Sequence, residues 1–221
     1  MGTWQTLLLV YLTVLGVAIV FVAVTAALLA AVGGRAQRID LGTPPVIPLR
    51  RVEPAIRLGP VPLGVVEIAG AGEAADAPLV ERDWRALGIG RRLLVIVGPW
   101  LVMAGLALAL LGPSGAARSF GSAIDQLIFT LDPTPLVRRF FALAVAAPPR
   151  VTAGVLLAKI VVLNLLPFGS LAGGQIVRLL WSAGRRELPR GAQIWLVLSM
   201  AFVMLYLFGR FAYAIVRAVV G

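Results

Sequence analysis

The chain has 221 residues, 60% of them hydrophobic and 14% charged, at a mean hydropathy of +0.96, which excludes an ordinary soluble globular domain. It holds neither cysteine nor histidine, so disulfides, thiolate chemistry, imidazole metal ligation and histidine acid–base catalysis are excluded too. The balance of 20 basic to 10 acidic residues gives +10, but these charges sit in connectors between apolar blocks. That pattern points to anionic lipid headgroups and membrane orientation, not to nucleic acid.

The fold class expected is an all-α polytopic membrane protein, a single integral-membrane domain over 1–221 with about four transmembrane helices. The first span, 4–32, carries no charged side chain and exceeds the roughly 20 residues that cross a hydrocarbon core. Its length, the lack of a basic leader and the following Gly33-Gly34-Arg35 separate it from a cleaved signal peptide. A connector over 33–92 follows. It contains short β-prone runs split by Pro and Gly, which predict a membrane-reentrant or interfacial β-hairpin over about 44–68, with Pro-blunted edges. Glu73 to Asp83 is more polar and reads as solvated.

The second span is 93–112 and the segment 113–150 follows it on the other side. The third span is 151–168, and the Pro148-Pro149 break leaves its start open back to about residue 142. A connector over 169–191 leads to the fourth span, 192–216. Nine Arg between Arg35 and Arg92 and four between Arg178 and Arg190 assign both connectors to the cytoplasm, so both termini face outward. The abundance of Arg, Ala, Gly and Pro suits a GC-rich bacterial genome, hence a multi-pass protein of the bacterial inner membrane.

Asn164-Leu165-Leu166-Pro167-Phe168-Gly169-Ser170-Leu171-Ala172-Gly173-Gly174, at the end of the third apolar block, resembles the N-L-L-P-x-x-x-L-D-G-G signature of the site-2 protease family. These are intramembrane zinc metalloproteases. Arg38-Ile39-Asp40-Leu41-Gly42, Pro44-Pro45 and the run from Arg57 to Gly64 resemble the family's reentrant hairpin. Val97-Gly98-Pro99-Trp100 is similar to its A-G-P-L-A-N segment, with Val102 in place of the Asn. The resemblance covers nearly the whole chain and implies the minimal four-helix form.

The resemblance also implies where the chemistry should be. The family's H-E-x-x-H binds zinc and activates water from the first helix, and its position here is Phe21-Val22-Ala23-Val24-Thr25. The Asp of L-D-G-G, the third ligand, is replaced by Ala172. With Phe21, Val22, Thr25 and Ala172 at the degenerate positions, no catalytic residue, metal ligand or cofactor is expected, and Phe21, Val22, Thr25 and Ala172 are expected to pack together where metal and water stood. The motif residues retained are Asn164, Pro167, Gly173, Gly174, Gly98 and Pro99.

The resulting expectation is a pseudoprotease, not an enzyme: a scaffold, adaptor or structural subunit whose partners are membrane lipids and other transmembrane proteins in a larger complex. One alternative is a family enzyme with partner-supplied ligands; another is a small transporter or channel component, for which Lys159, Asn164, Thr13 and Thr25 are sparse polar groups. A Ser–Lys dyad would need Ser170 or Ser199 beside Lys159. Lys159, the single lysine, is a possible partner contact: its ammonium must snorkel, meet Asp125, Asp132 or lipid phosphate, or pair with another protein.

Overall fold

Helix α1 (Thr3–Ala31) consists of uncharged and mostly apolar residues, and it stops where Gly33 adopts φ +84. The N–H of Gly34 donates to the carbonyl of Leu29 (2.9 Å) and that of Gly33 to Ala30 (3.1 Å), a Schellman close that satisfies the last carbonyls and turns the chain directly into a strand. The computed structural model describes residues 3–42, 46–50, 54–60, 64–68, 84, 87–126, 132–168, 171–183, 189–202, 205–206 and 209–220. The expected solvated stretch from Glu73 to Asp83 lies outside them.

The strand is β1 (Ala36–Leu41), followed by β2 (Ile47–Arg50), β3 (Ala55–Leu58) and β4 (Gly64–Ile68). They form one sheet in the order β2-β3-β1-β4. The sheet is therefore wider than the hairpin expected over 44–68. β2 and β3 do make an antiparallel hairpin, but β3 then runs parallel to β1, pairing Asp40 with Arg57, and β4 lies antiparallel on the other side of β1. β1 is an inner strand because its alternation, Arg38 and Asp40 on one face with Ile39 and Leu41 on the other, matches the pattern of both neighbours. Pro48 lies on the outer strand β2, where a missing N–H is tolerated.

Helix α2 (Ile89–Ile124) continues past the expected end at 112, with a break at Gly112 (φ 71, ψ 168). Pro113 causes the break: it offers no N–H and pushes the preceding residue out of the helical region, into a conformation that glycine accepts. The expected outer segment 113–150 is accordingly helical over much of its length, with the remainder of α2 and then α3 (Thr134–Ala146).

Helix α4 (Pro149–Leu165) begins with Pro149 in its first turn. The Pro148-Pro149 pair separates it from α3, so residue 142 belongs to a different helix from the block at 151–168. Helix α5 (Ala172–Ala183) occupies the expected connector 169–191, and α6 (Arg190–Phe202) and α7 (Gly209–Val220) share the expected span 192–216. The described residues are thus mostly helical with one small sheet, and two helical segments, Leu7–Ala31 and Ile89–Ile124, are long and apolar enough to cross a membrane.

The chain divides into two compact units, Tyr11–Val102 and Met1–Val10 with Met103–Gly221. The first holds most of α1, the sheet and the start of α2. In the second, α3 packs on α7 and α4 on α5, around buried Val137, Ala144, Leu157, Ala158, Val161 and Ala214.

Candidate functional site

Phe21, Val22 and Thr25 lie within about one turn in the C-terminal half of α1, and Phe21 and Thr25, four residues apart, share a face. Val22 and Thr25 are buried. The Thr25 hydroxyl donates to the carbonyl of Phe21 at 2.7 Å, which satisfies it within its own helix and turns it away from any ligand.

In the same unit α2 supplies Gly98, Pro99 and Trp100, all buried. The ring of Trp100 lies on that of Phe21 with centroids 4.7 Å apart and planes tilted by 36°, within the range of favourable aromatic pairs. Gly98 lets Leu28 of α1 lie where a β-carbon would stand. Gly64, at the start of β4, does the same on the sheet side: a β-carbon there would lie 2.9 Å from the Ala18 carbonyl oxygen and from a Val22 methyl. The Tyr11 hydroxyl donates to the Pro60 carbonyl (3.2 Å), a second tie between α1 and the sheet.

Zinc sites require nitrogen, sulfur or carboxylate donors at about 2.0–2.3 Å. The four degenerate positions present an aromatic ring, an isopropyl group, a hydroxyl already committed to a helix carbonyl, and a methyl group. Among the described residues no three His, Cys, Asp or Glu cluster. These residues do not fit zinc.

Ala172 opens α5 in the other unit and is buried. The motif around it is built locally. Asn164 donates from its amide to the carbonyl of Ile160 (2.9 Å) in its own helix, Leu166 leaves the helix in an extended conformation, and Pro167 is exposed. Gly173 then comes so close to the last carbonyls of α4 that a β-carbon would collide with the Leu165 and Leu166 oxygens. Phe168 meets the Trp195 ring of α6 at 6.4 Å, and Gly174 is buried.

Lys159 donates to the side-chain oxygen of Gln126. Its partner is thus an amide, not the carboxylate of Asp125 or Asp132, and the Asp132 carboxylate instead accepts the Thr134 N–H at 2.9 Å. Ser199 donates to the Leu196 carbonyl (2.9 Å), so no Ser199–Lys159 dyad is assembled. Ser170 lies outside the described residues.

One polar constellation was not anticipated. Arg57 grips Asp40 through both oxygens, Nε to Oδ1 at 2.7 Å and Nη2 to Oδ2 at 2.8 Å, while Arg38 reaches Asp40 at 3.1 Å and Glu67 at 2.8 Å. Strand register places all four on one face of the sheet. The hydrogen bonds from Arg57 hold the Asp40 carboxyl below the usual carboxylate range, against the opposing effect of burial. The signal in the sequence was the spacing Arg38-x-Asp40, legible only once residues 36–41 are taken as a strand.

No family model, curated protein or solved structure matches the chain.

Proposed function

We propose that this chain is a catalytically inactive relative of the site-2 proteases, a membrane scaffold, adaptor or structural subunit that binds other transmembrane proteins. The observation that carries the reading is the packing of Phe21 on Trp100, with Gly64 pressed against Ala18 and Val22, at the position that the resemblance assigns to the metal motif. A protease site must keep polar donors and room for water and substrate. Here aromatic and aliphatic groups fill that position, so what persists is a scaffold of helices with a sheet fastened to the first of them. In this reading the blocks at 4–32, 93–112, 151–168 and 192–216 each cross the bacterial inner membrane, with both termini outside and the sheet on the cytoplasmic side, where its Arg residues favour it.

The test is in-cell photo-crosslinking from Ile19, an exposed position on α1. The expected result is a discrete adduct with one helix of another membrane protein, lost when the crosslinker is moved to buried Leu29. Adducts with lipid alone from every exposed α1 position, or about one zinc per chain in the purified protein, would overturn the reading.

A further inference from the structure

An open cavity of about 380 Å³ lies between α2, on both sides of its Gly112 break, and the first turns of α4. Its lining joins two chemistries, the aliphatic side chains of Leu110, Leu111 and Val155 and the polar ones of Arg118, Ser119 and Arg150. Close packing sets its apolar lining, since a β-carbon on Gly154 would run into the side chains of Leu110 and Leu111. Both arginines are exposed, and among the described residues neither meets a carboxylate. Arg118 makes one hydrogen bond, from Nε to the Ser114 carbonyl of its own helix at 3.3 Å, which leaves its terminal nitrogens for another acceptor.

We infer that this cavity holds one anionic phospholipid, its phosphate between the guanidinium groups of Arg118 and Arg150 and its first methylenes on Leu110, Leu111 and Val155. Charge complementarity selects the occupant. Among the described residues neither guanidinium group has a carboxylate counter-ion, and aliphatic side chains share the lining; a lipid phosphodiester supplies both the negative charge and the apolar chain, whereas free phosphate supplies only the first. The volume falls in the range of ligand-holding clefts. The inference rests on the membrane placement of α2 and α4, in which Arg118 and Arg150 stand just beyond the apolar ends of neighbouring spans, at headgroup depth. It does not rest on the relation to proteases.

The full-length protein, reconstituted in discs of about four parts phosphatidylcholine to one part phosphatidylglycerol, is released into mild detergent and its bound lipid weighed by native mass spectrometry. Phosphatidylglycerol is expected to be retained in preference to phosphatidylcholine, with no displacement by added inorganic phosphate. The double variant Arg118→Gln/Arg150→Gln should lose that preference by more than about tenfold, at roughly fivefold per arginine. Arg138→Gln/Arg139→Gln, the same charge change on exposed residues of α3, should keep it. Should the double variant fail to fold, Arg150→Gln alone carries the test at about fivefold. Equal retention of both lipids, displacement by phosphate, or an unchanged double variant overturns the site while leaving the membrane placement intact. A chain that stays outside the discs overturns both.

Discussion

Gly64 stands so near α1 that a β-carbon on it would lie 2.9 Å from the Ala18 carbonyl oxygen, closer than side-chain carbons approach backbone oxygens in folded proteins. The neighbour is backbone, so it cannot rotate aside. Gly64→Val is therefore expected to lift β4 from α1 and to destabilise the unit by about 1–3 kcal/mol, the range for overpacked sites. Hydrogen exchange of the β1 and β4 amides measures it, and wild-type protection in the variant would contradict the tight approach.

Asp40 should make the sheet sensitive to acid. Its carboxyl is held below its ordinary value of 3.8, chiefly by Arg57, so the stabilisation is complete above that value and is lost as pH falls through the lower, folded-state one. At neutral pH, Asp40→Asn is expected to destabilise the sheet by about 1–2 kcal/mol, the low end for bonds to charged groups because both arginines keep solvent access. Limited proteolysis between Arg35 and Ile68 followed against pH should show the wild type converging on the variant in strong acid and separating from it at neutrality.

Gly173→Ala should harm the second unit more than a surface glycine substitution would. The new methyl meets the Leu165 and Leu166 carbonyl oxygens, so the turn from α4 into α5 has to open. A loss of about 1–3 kcal/mol is expected in detergent unfolding. Gly191→Ala, at a glycine with nothing within 4 Å, should change little and serves as the control.

A double-mutant cycle between Lys159→Met and Gln126→Leu tests their hydrogen bond. Coupling of about 0.6 kcal/mol is expected, the average for side-chain bonds between membrane helices. A value of zero would separate the two residues. If Lys159 also contacts a partner protein, loss of the crosslinked species in Lys159→Met but not in Gln126→Leu reveals it.

The proposed relation to the site-2 proteases can be tested by putting metal-binding side chains at the positions it assigns. If the proposed relation holds, Phe21→His, Val22→Glu and Thr25→His place two imidazoles one helical turn apart on α1, and the threefold variant is expected to bind zinc more tightly than the wild type, while a variant lacking either histidine binds more weakly. Failure of the folded threefold variant to bind zinc would break the proposed alignment of Phe21 to Thr25 with the metal motif.

Helix α1 and the body of α2 were legible because charge-free runs bounded by Arg, Gly and Pro define them, and Gly33-Gly34 closes α1; α3 and α5, shorter and carrying Arg, were not read as helices of their own. Gly112-Pro113 was legible as an end but is a break, since a proline in a first helical turn starts a helix as readily as it stops one. The sheet was half read. Residues 36–41 carry Arg, Gln and Asp, and such a strand shows no apolar run; only its pairing with β3 and β4 makes the alternation meaningful. Motif spacing assigns Phe21, Val22, Thr25 and Ala172 only as far as the resemblance goes. That Trp100 covers Phe21 could not be read, because the two are far apart in sequence and nothing local pairs them. Gln126 escaped notice for a simpler reason: a lysine in an apolar block directs attention to carboxylates, while an amide oxygen accepts the same hydrogen bond.

The position of β1 has a consequence for synthesis on the ribosome. It is one of the two inner strands, it follows α1 after a tight turn, and the sheet's last strand ends at Ile68, well before α2 begins at Ile89. All four strands therefore emerge before the second long apolar helix does, and chains generally fold from the N-terminal side as they are made. The nascent chain can close its sheet on α1 alone, with Gly64 already seated against Ala18. Trp100 then arrives last, as a lid laid on Phe21 after the floor beneath it has set.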